Sequence, residues 1–134
     1  MANQQSYQQL NGLTLAYVGD AVYELYVRKY LVETGKENPD ELHKSAVTYV
    51  SAKAQADVIW HWRNNEILTE EEERILKRGR NAKSRSTPKN TSIHVYRYST
   101  GFEALIGYHY LLQNVDRLEE LLSLAVSFIN RKES

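Results

Sequence analysis

From Leu13 to Val32 the chain has no proline and carries apolar side chains on two opposite sides of a helix. That pattern belongs to a helix packed between other elements, not one lying on a surface. At helical spacing, Val18, Ala21, Val22 and Leu25 make one stripe, and Leu13, Ala16, Tyr23, Val27 and Leu31 make the other. Asp20 falls in the middle of the second stripe, directly after Gly19, within YVGDAVYELYV. A buried carboxylate without a partner is costly, so this acid must meet a cation, a metal or a functional cleft. Its face must be covered by another helix or by another subunit.

The rest of the chain reads as helices around this one. The first helix ends near Gly35, and a second is predicted from Pro39 or Asp40 to Arg63, with Asn38 as its cap. Val47, Val50, Ala54, Val58 and Trp62 mark its core side. Thr69 followed by Glu70 to Glu73 is a capped, acid-rich helix start, and that third helix is predicted to end near Arg78 and Gly79. Residues 80–92 read as a basic, mobile loop containing Pro88. A fourth helix is predicted over Thr100–Gln113 with Ser99 or Thr100 as cap, and a last amphipathic one over Asp116–Arg131. No strand pair and no solenoid repeat is evident, so the expected fold is all-α, one domain over residues 1–134.

The fourth helix repeats the opening feature. In GFEALIGYHYLL, Glu103 is the one acid in an apolar segment, and Gly107 sits in mid-helix as Gly19 does in the first. Glycine there is unfavourable by roughly 1 kcal/mol relative to alanine, which close helix approach would explain. If the two helices cross near these glycines, Asp20 and Glu103 converge, and two facing carboxylates must share a proton or bind a cation. An open, oxygen-rich site suits Mg²⁺. Ordinary pairing of each acid with an Arg or Lys fits the pattern as well, and the pattern alone leaves both open.

Charge is balanced in total, 17 Lys and Arg against 17 Asp and Glu, but segregated along the chain. Five acids fall in residues 66–73, whereas Lys77 to Arg97 holds seven bases and no acid. A polyanion responds to that local potential. There is no cysteine, hence no disulfide and no thiolate metal site. No apolar run is long enough to span a membrane, and the N-terminus MANQQSYQQL lacks signal-peptide character, so a cytoplasmic location is expected. His43, His61, His94 and His109 have no zinc-like spacing and none is assigned as a ligand; Trp60 and Trp62 read as core anchors, and Tyr17, Tyr23 and Tyr26 as packing around the first helix.

LAYVGDAVYELYV resembles the signature helix of the ribonuclease III catalytic domain, and YSTGFEALIGYHYL resembles that family's second acidic motif. LHKSAVTYVSAKAQA looks like the helix between them. KRGRNAKS, TPKN and YRYSTGFEALIGY are most similar to the subfamily Mini-ribonuclease III, which consists of the catalytic domain without a double-stranded-RNA-binding domain. The resemblance spans about Leu13 to Leu124. It implies an all-helical homodimer that cleaves double-stranded RNA with Mg²⁺, or Mn²⁺ in its place, leaving 5′-phosphate and 3′-hydroxyl ends. For the subfamily it implies maturation of 23S ribosomal RNA precursors, with a ribosomal protein or pre-ribosomal particle as further partner.

Carried over by position, the resemblance makes Asp20 and Glu103 the catalytic, metal-binding acids. Glu24, one turn beyond Asp20, is a candidate supporting group. Arg78, Arg80, Lys83, Arg85 and Lys89 are the candidate RNA-binding residues, with Asn81 and Ser84 as weaker candidate phosphate donors. Two further acids of the larger family are absent, with Ala16 and Thr100 in their places. The competing readings are a non-catalytic RNA-binding module of the same fold and a helical protein-interaction domain. The first binds RNA without Mg²⁺ or cleavage; the second has no salt-dependent RNA affinity.

Overall fold

The computed structural model describes residues 9–82 and 91–133, with Tyr7 and Lys89. Six helices run through them: α1 Gly12–Glu33, α2 Pro39–Val50, α3 Ala52–Asn64, α4 Glu70–Asn81, α5 Ile93–Leu111 and α6 Val115–Glu133. No strand occurs among the described residues, so the fold is all-α.

Several helix ends follow from local chemistry. The Asn38 side chain accepts from the amides of Asp40 and Glu41 at 2.9 and 3.2 Å, with Pro39 at the position that needs no donor. Thr69 and Glu72 form a reciprocal capping box at the start of α4. Beyond α1, Gly35 adopts φ +99°, a left-handed conformation that turns the chain sharply.

Three boundaries differ from the sequence expectation. The segment expected as one helix to Arg63 is two, because Ser51 adopts extended geometry (φ −61°, ψ 153°) and ends α2 while capping α3. Its hydroxyl accepts from the Ala54 amide, replacing the backbone carbonyl a continuous helix would supply. The break shifts the phase of the expected core side: Val58 and Trp62 are buried, Val50 and Ala54 half-buried, and Val47 exposed. The helix expected from Thr100 begins two turns earlier, capped by Ser92, while Ser99 and Thr100 lie inside it and donate their hydroxyls to the Tyr96 carbonyl. Finally α4 continues through Asn81, so Arg80 and Asn81 belong to a helix and not to a loop.

The centre of the molecule is α5, flanked by α1, α3 and α4. Nearly every residue from Ser99 to His109 is buried, Glu103 being half-buried. Tyr23 of α1 and Trp62 of α3 meet Phe102 there, with ring centroids 4.9 and 5.6 Å away. Each such buried aromatic contributes on the order of 1.5–3 kcal/mol of apolar burial. The helix read as central, α1, is covered on one side: Leu15, Ala16, Tyr23, Val27 and Leu31 are buried, whereas Tyr17, Ala21 and Leu25 are exposed. Trp62 is a core anchor as expected; Trp60 is half-buried, stacked on His94.

Across the core from that face, Glu72 is 2% exposed and carries a charge. Burial by itself would push its carboxyl up, but donors more than offset this. Arg117 binds both oxygens at 2.7 and 2.9 Å, His109 approaches at 2.7 Å, and the Thr69 amide donates at 2.9 Å. The result is a carboxyl held far below its usual 4.5. A depressed folded pKa stabilises above the unfolded value and that stability is lost as pH falls, so acid unfolding should set in as the medium drops below 4.5. Glu72→Gln leaves Arg117, itself a quarter exposed, short of its partner. It is expected to lower stability in urea titrations by about 2–3 kcal/mol, below the usual range for a fully buried pair.

Candidate active site

The crossing of α1 and α5 is closer than ordinary side chains allow. A Cβ on Gly19 would sit 1.7 Å from the Glu103 carbonyl oxygen, and one on Gly107 would sit 2.0 Å from that of Leu15. These two glycines bring backbone against backbone and place the Asp20 and Glu103 carboxylates within hydrogen-bonding reach of each other. The convergence expected from the sequence is present. Among the described residues α5 flanks Asp20 and leaves it exposed, so no described helix supplies the expected cover, and another subunit is the alternative the sequence leaves open.

Glu103 feels this environment. Burial first, and the facing Asp20 carboxylate second, push its carboxyl up to about 8. Donation from Gln55 works in the opposite direction. The Gln55 Nε2 group reaches Glu103 Oε2 at 3.3 Å and the Val50 carbonyl at 3.2 Å. Sequence reading passed over this residue; its signal was that Gln55 shares one helical face with Val58, Ile59 and Trp62, a polar group in a core stripe.

The positions of the two missing acids are built as core. Ala16 and Thr100 are both 6% exposed, and the Thr100 hydroxyl is turned back onto its own helix. Among the described residues no group of three or more His, Asp or Glu could hold a metal. The donor set is therefore the two facing carboxylates, with the Gln55 amide nitrogen against Glu103; the buried Gln55 Oε1 has no protein partner among the described residues. Hard oxygen donors in small number fit Mg²⁺, a cation that keeps most of its water and binds through one or two carboxylates.

Glu24 does not approach this pair in any described contact; it is bound to Arg28 at 3.1 Å, one turn further along α1. Among the basic candidates, Arg78 and Arg80 end α4. Arg78 donates to the Leu10 carbonyl at 3.1 Å, and Arg80 donates to Asn81 Oδ1 at 3.0 Å and to the Tyr98 hydroxyl at 3.3 Å. A groove of about 810 Å³ lies between the start of α1 and this end of α4, lined by Gly12, Thr14, Tyr17, Arg78 and Asn81. Tyr17 is three residues before Asp20, about 4.5 Å along the helix axis, and neither Asp20 nor Glu103 lines the groove. Lys89 is exposed in a turn, while Lys83, Ser84 and Arg85 lie outside the described residues. Of the histidines, His61 stacks on Phe128, His94 on Trp60, and His109 serves Glu72.

A helical domain with paired acids at a glycine crossing matches a known class. The ribonuclease III domain, as a family model, matches residues 13–114, and the chain belongs to the ribonuclease III family, a family of endoribonucleases. Within that family the similarity is to Mini-ribonuclease 3 proteins. That of Enterococcus faecalis is 54% identical over 122 residues, covering 91% of this chain and 92% of the relative. That of Staphylococcus aureus is 47% identical over 134 residues, covering 98% and 100%. A crystal structure of a protein from Fusobacterium nucleatum superposes with a TM-score of 0.78 at 33% identity, covering 87% of this chain and 92% of the other.

Proposed function

We propose that this chain is a Mg²⁺-dependent endoribonuclease that cuts both strands of double-stranded RNA, with Asp20 and Glu103 holding the ion. The carrying observation is the Gly19–Gly107 crossing, which sets two acids face to face with Gln55 behind one of them. Family membership supports RNA duplexes as substrate, and the subfamily resemblance supports 23S ribosomal RNA precursors in the cytoplasm. When bound, a divalent ion supplies Lewis acidity at a phosphoryl oxygen and lowers the pKa of attacking water. The protein's part is to orient: Asp20 is the exposed arm of the pair, and Glu103 is the half-buried one, fixed from behind by Gln55. Arg78, Arg80 and Asn81, at the end of α4, would supply backbone-binding donors, because the A-form major groove is too narrow to read. Purified protein is expected to cut a long RNA duplex with Mg²⁺, to spare single strands, and to stop when a chelator is added. Mg²⁺-independent binding without cleavage would replace this reading with that of a non-catalytic duplex-binding module.

Two cuts require two sites, and α1 supports a homodimer. Tyr17 (82% exposed), Leu25 (69%) and Val32 (58%) occupy one side of α1 with no cover among the described residues. Asp20 borders that strip, which accounts for its exposure in the single chain. A two-fold partner laid along α1 would bury the strip and bring a second carboxylate pair alongside. Leu25→Glu is expected to halve the mass seen by light scattering while leaving helical content unchanged. It should also convert double-strand cutting into nicking. A variant that stays dimeric removes this face from the interface.

A further inference from the structure

Resting on the assignment of Asp20 and Glu103 as carboxylates for a cation, we propose that Gln55 is the positioning residue of that site: its amide nitrogen fixes Glu103 and its carbonyl oxygen accepts from water on the ion.

Gln55 is 2% exposed, an unusual place for an amide. Its two nitrogen contacts, the Val50 carbonyl and Glu103 Oε2, are both oxygen acceptors. The amide orientation is thereby fixed, since turning it over would set oxygen against oxygen. The Val50 carbonyl is available because α2 stops at Ser51, and the Ala54 amide that would take it in a continuous helix bonds to the Ser51 hydroxyl. The neighbouring Tyr49 carbonyl, freed by the same break, is taken by the Tyr23 hydroxyl at 3.0 Å. Thus the α2–α3 joint anchors the amide at one end and Glu103 receives it at the other.

The remaining oxygen, Gln55 Oε1, is buried and has no partner among the described residues. A buried acceptor left unpaired is unfavourable, and the oxygen belongs to the amide that touches the candidate cation ligand. Mg²⁺ held by few protein atoms carries several waters, each a strong donor. An amide oxygen can receive such a water where a carboxylate would add charge and a hydrocarbon would offer nothing. A purely structural glutamine would be replaced by methionine, which has similar length and flexibility, with no change in metal affinity.

The test uses Gln55→Met and Gln55→Leu in the full chain, with Mn²⁺ binding followed by electron paramagnetic resonance and Mg²⁺ binding by calorimetry. Both variants lose the contacts to the Val50 carbonyl and Glu103, so the metal-free melting temperature is expected to fall, and among folded molecules the ion is expected to bind about 10–100-fold more weakly. The Mg²⁺ concentration for half-maximal cleavage should rise by a similar factor. If wild type binds Mn²⁺, Asp20→Asn does not, and Gln55→Met binds like wild type, the inference about Gln55 is overturned while the carboxylate site stands. If wild type itself binds no ion, the carboxylate assignment falls and takes this inference with it. Should neither Gln55 variant fold, the side-chain amide NMR signals of Gln55 in wild type decide. Displacement on adding Mg²⁺ supports the role, and unmoved signals overturn it.

Discussion

Asp20→Asn, and separately Glu103→Gln, should slow cleavage of an RNA duplex at saturating Mg²⁺ by more than about 100-fold, the loss that removing even a ligand's hydrogen-bond partner can produce. Each substitution keeps shape and removes charge, so circular dichroism and duplex binding should be preserved. With two carboxylates in the site and no third acid among the described residues, neither loss has a replacement. A single variant that cleaves at the wild-type rate would remove that residue from the site.

Without metal, the same pair works against the fold. Burial and then the Asp20 carboxylate raise Glu103 to about 8, against an ordinary value of 4.5. Between those values the folded state holds a proton that the unfolded state has released, so stability falls as pH rises through the interval. Glu103→Gln is expected to melt above wild type in chelator at pH 8, with the gap closing toward pH 4.5. Mg²⁺ should raise the melting point of wild type and leave that of the variant unmoved. A variant that melts lower in chelator at pH 8 would show that the pair is not repulsive.

Gly19→Ala is the second large effect. In an open helix this change would stabilise by about 1 kcal/mol. Here the added carbon would lie 1.7 Å from a main-chain oxygen of α5, a contact relieved only by moving one helix away from the other. Overpacking typically costs about 1–3 kcal/mol and more where backbone must shift. The second effect exceeds the first, and a net loss of about 2 kcal/mol, or a melting point roughly 6–10 °C lower, is expected in thermal unfolding. Because the two carboxylates ride on the same crossing, ion affinity should fall as well. A stabilised Gly19→Ala would contradict the closeness of the crossing.

These two glycines were readable in the sequence because a helix-disfavouring residue beside a lone acid, occurring twice, has few explanations. Caps written in side-chain chemistry, Asn38 before Pro39 and Thr69 before Glu72, were equally legible. The break at Ser51 was not. Val50, Ala54 and Val58 keep helical spacing straight across it, and one serine hydroxyl redirects the chain without disturbing the apolar count. The early start of α5 was hidden for another reason. Ile93 to Tyr98 lacks a helical stripe, and Trp60 packing on His94 and Tyr98 accompanies the helix that Ser92 caps. For Asp20 the sequence leaves two covers open, another helix or another subunit, because periodicity identifies an apolar side without saying whether the chain itself covers it; the described helices leave it exposed. Gln55 was missed because its partner carbonyl exists only once the helix is broken.

The serine joint between α2 and α3 also sets a tolerance. Each residue added to or removed from a helix rotates the downstream residues by about 100°. One residue more or fewer between Val50 and Gln55 would swing the amide off Glu103 while leaving both carboxylates and their glycine crossing intact. Length variation at this joint is therefore constrained by the contact that Gln55 makes with Glu103 two helices away, although no acid lies in it.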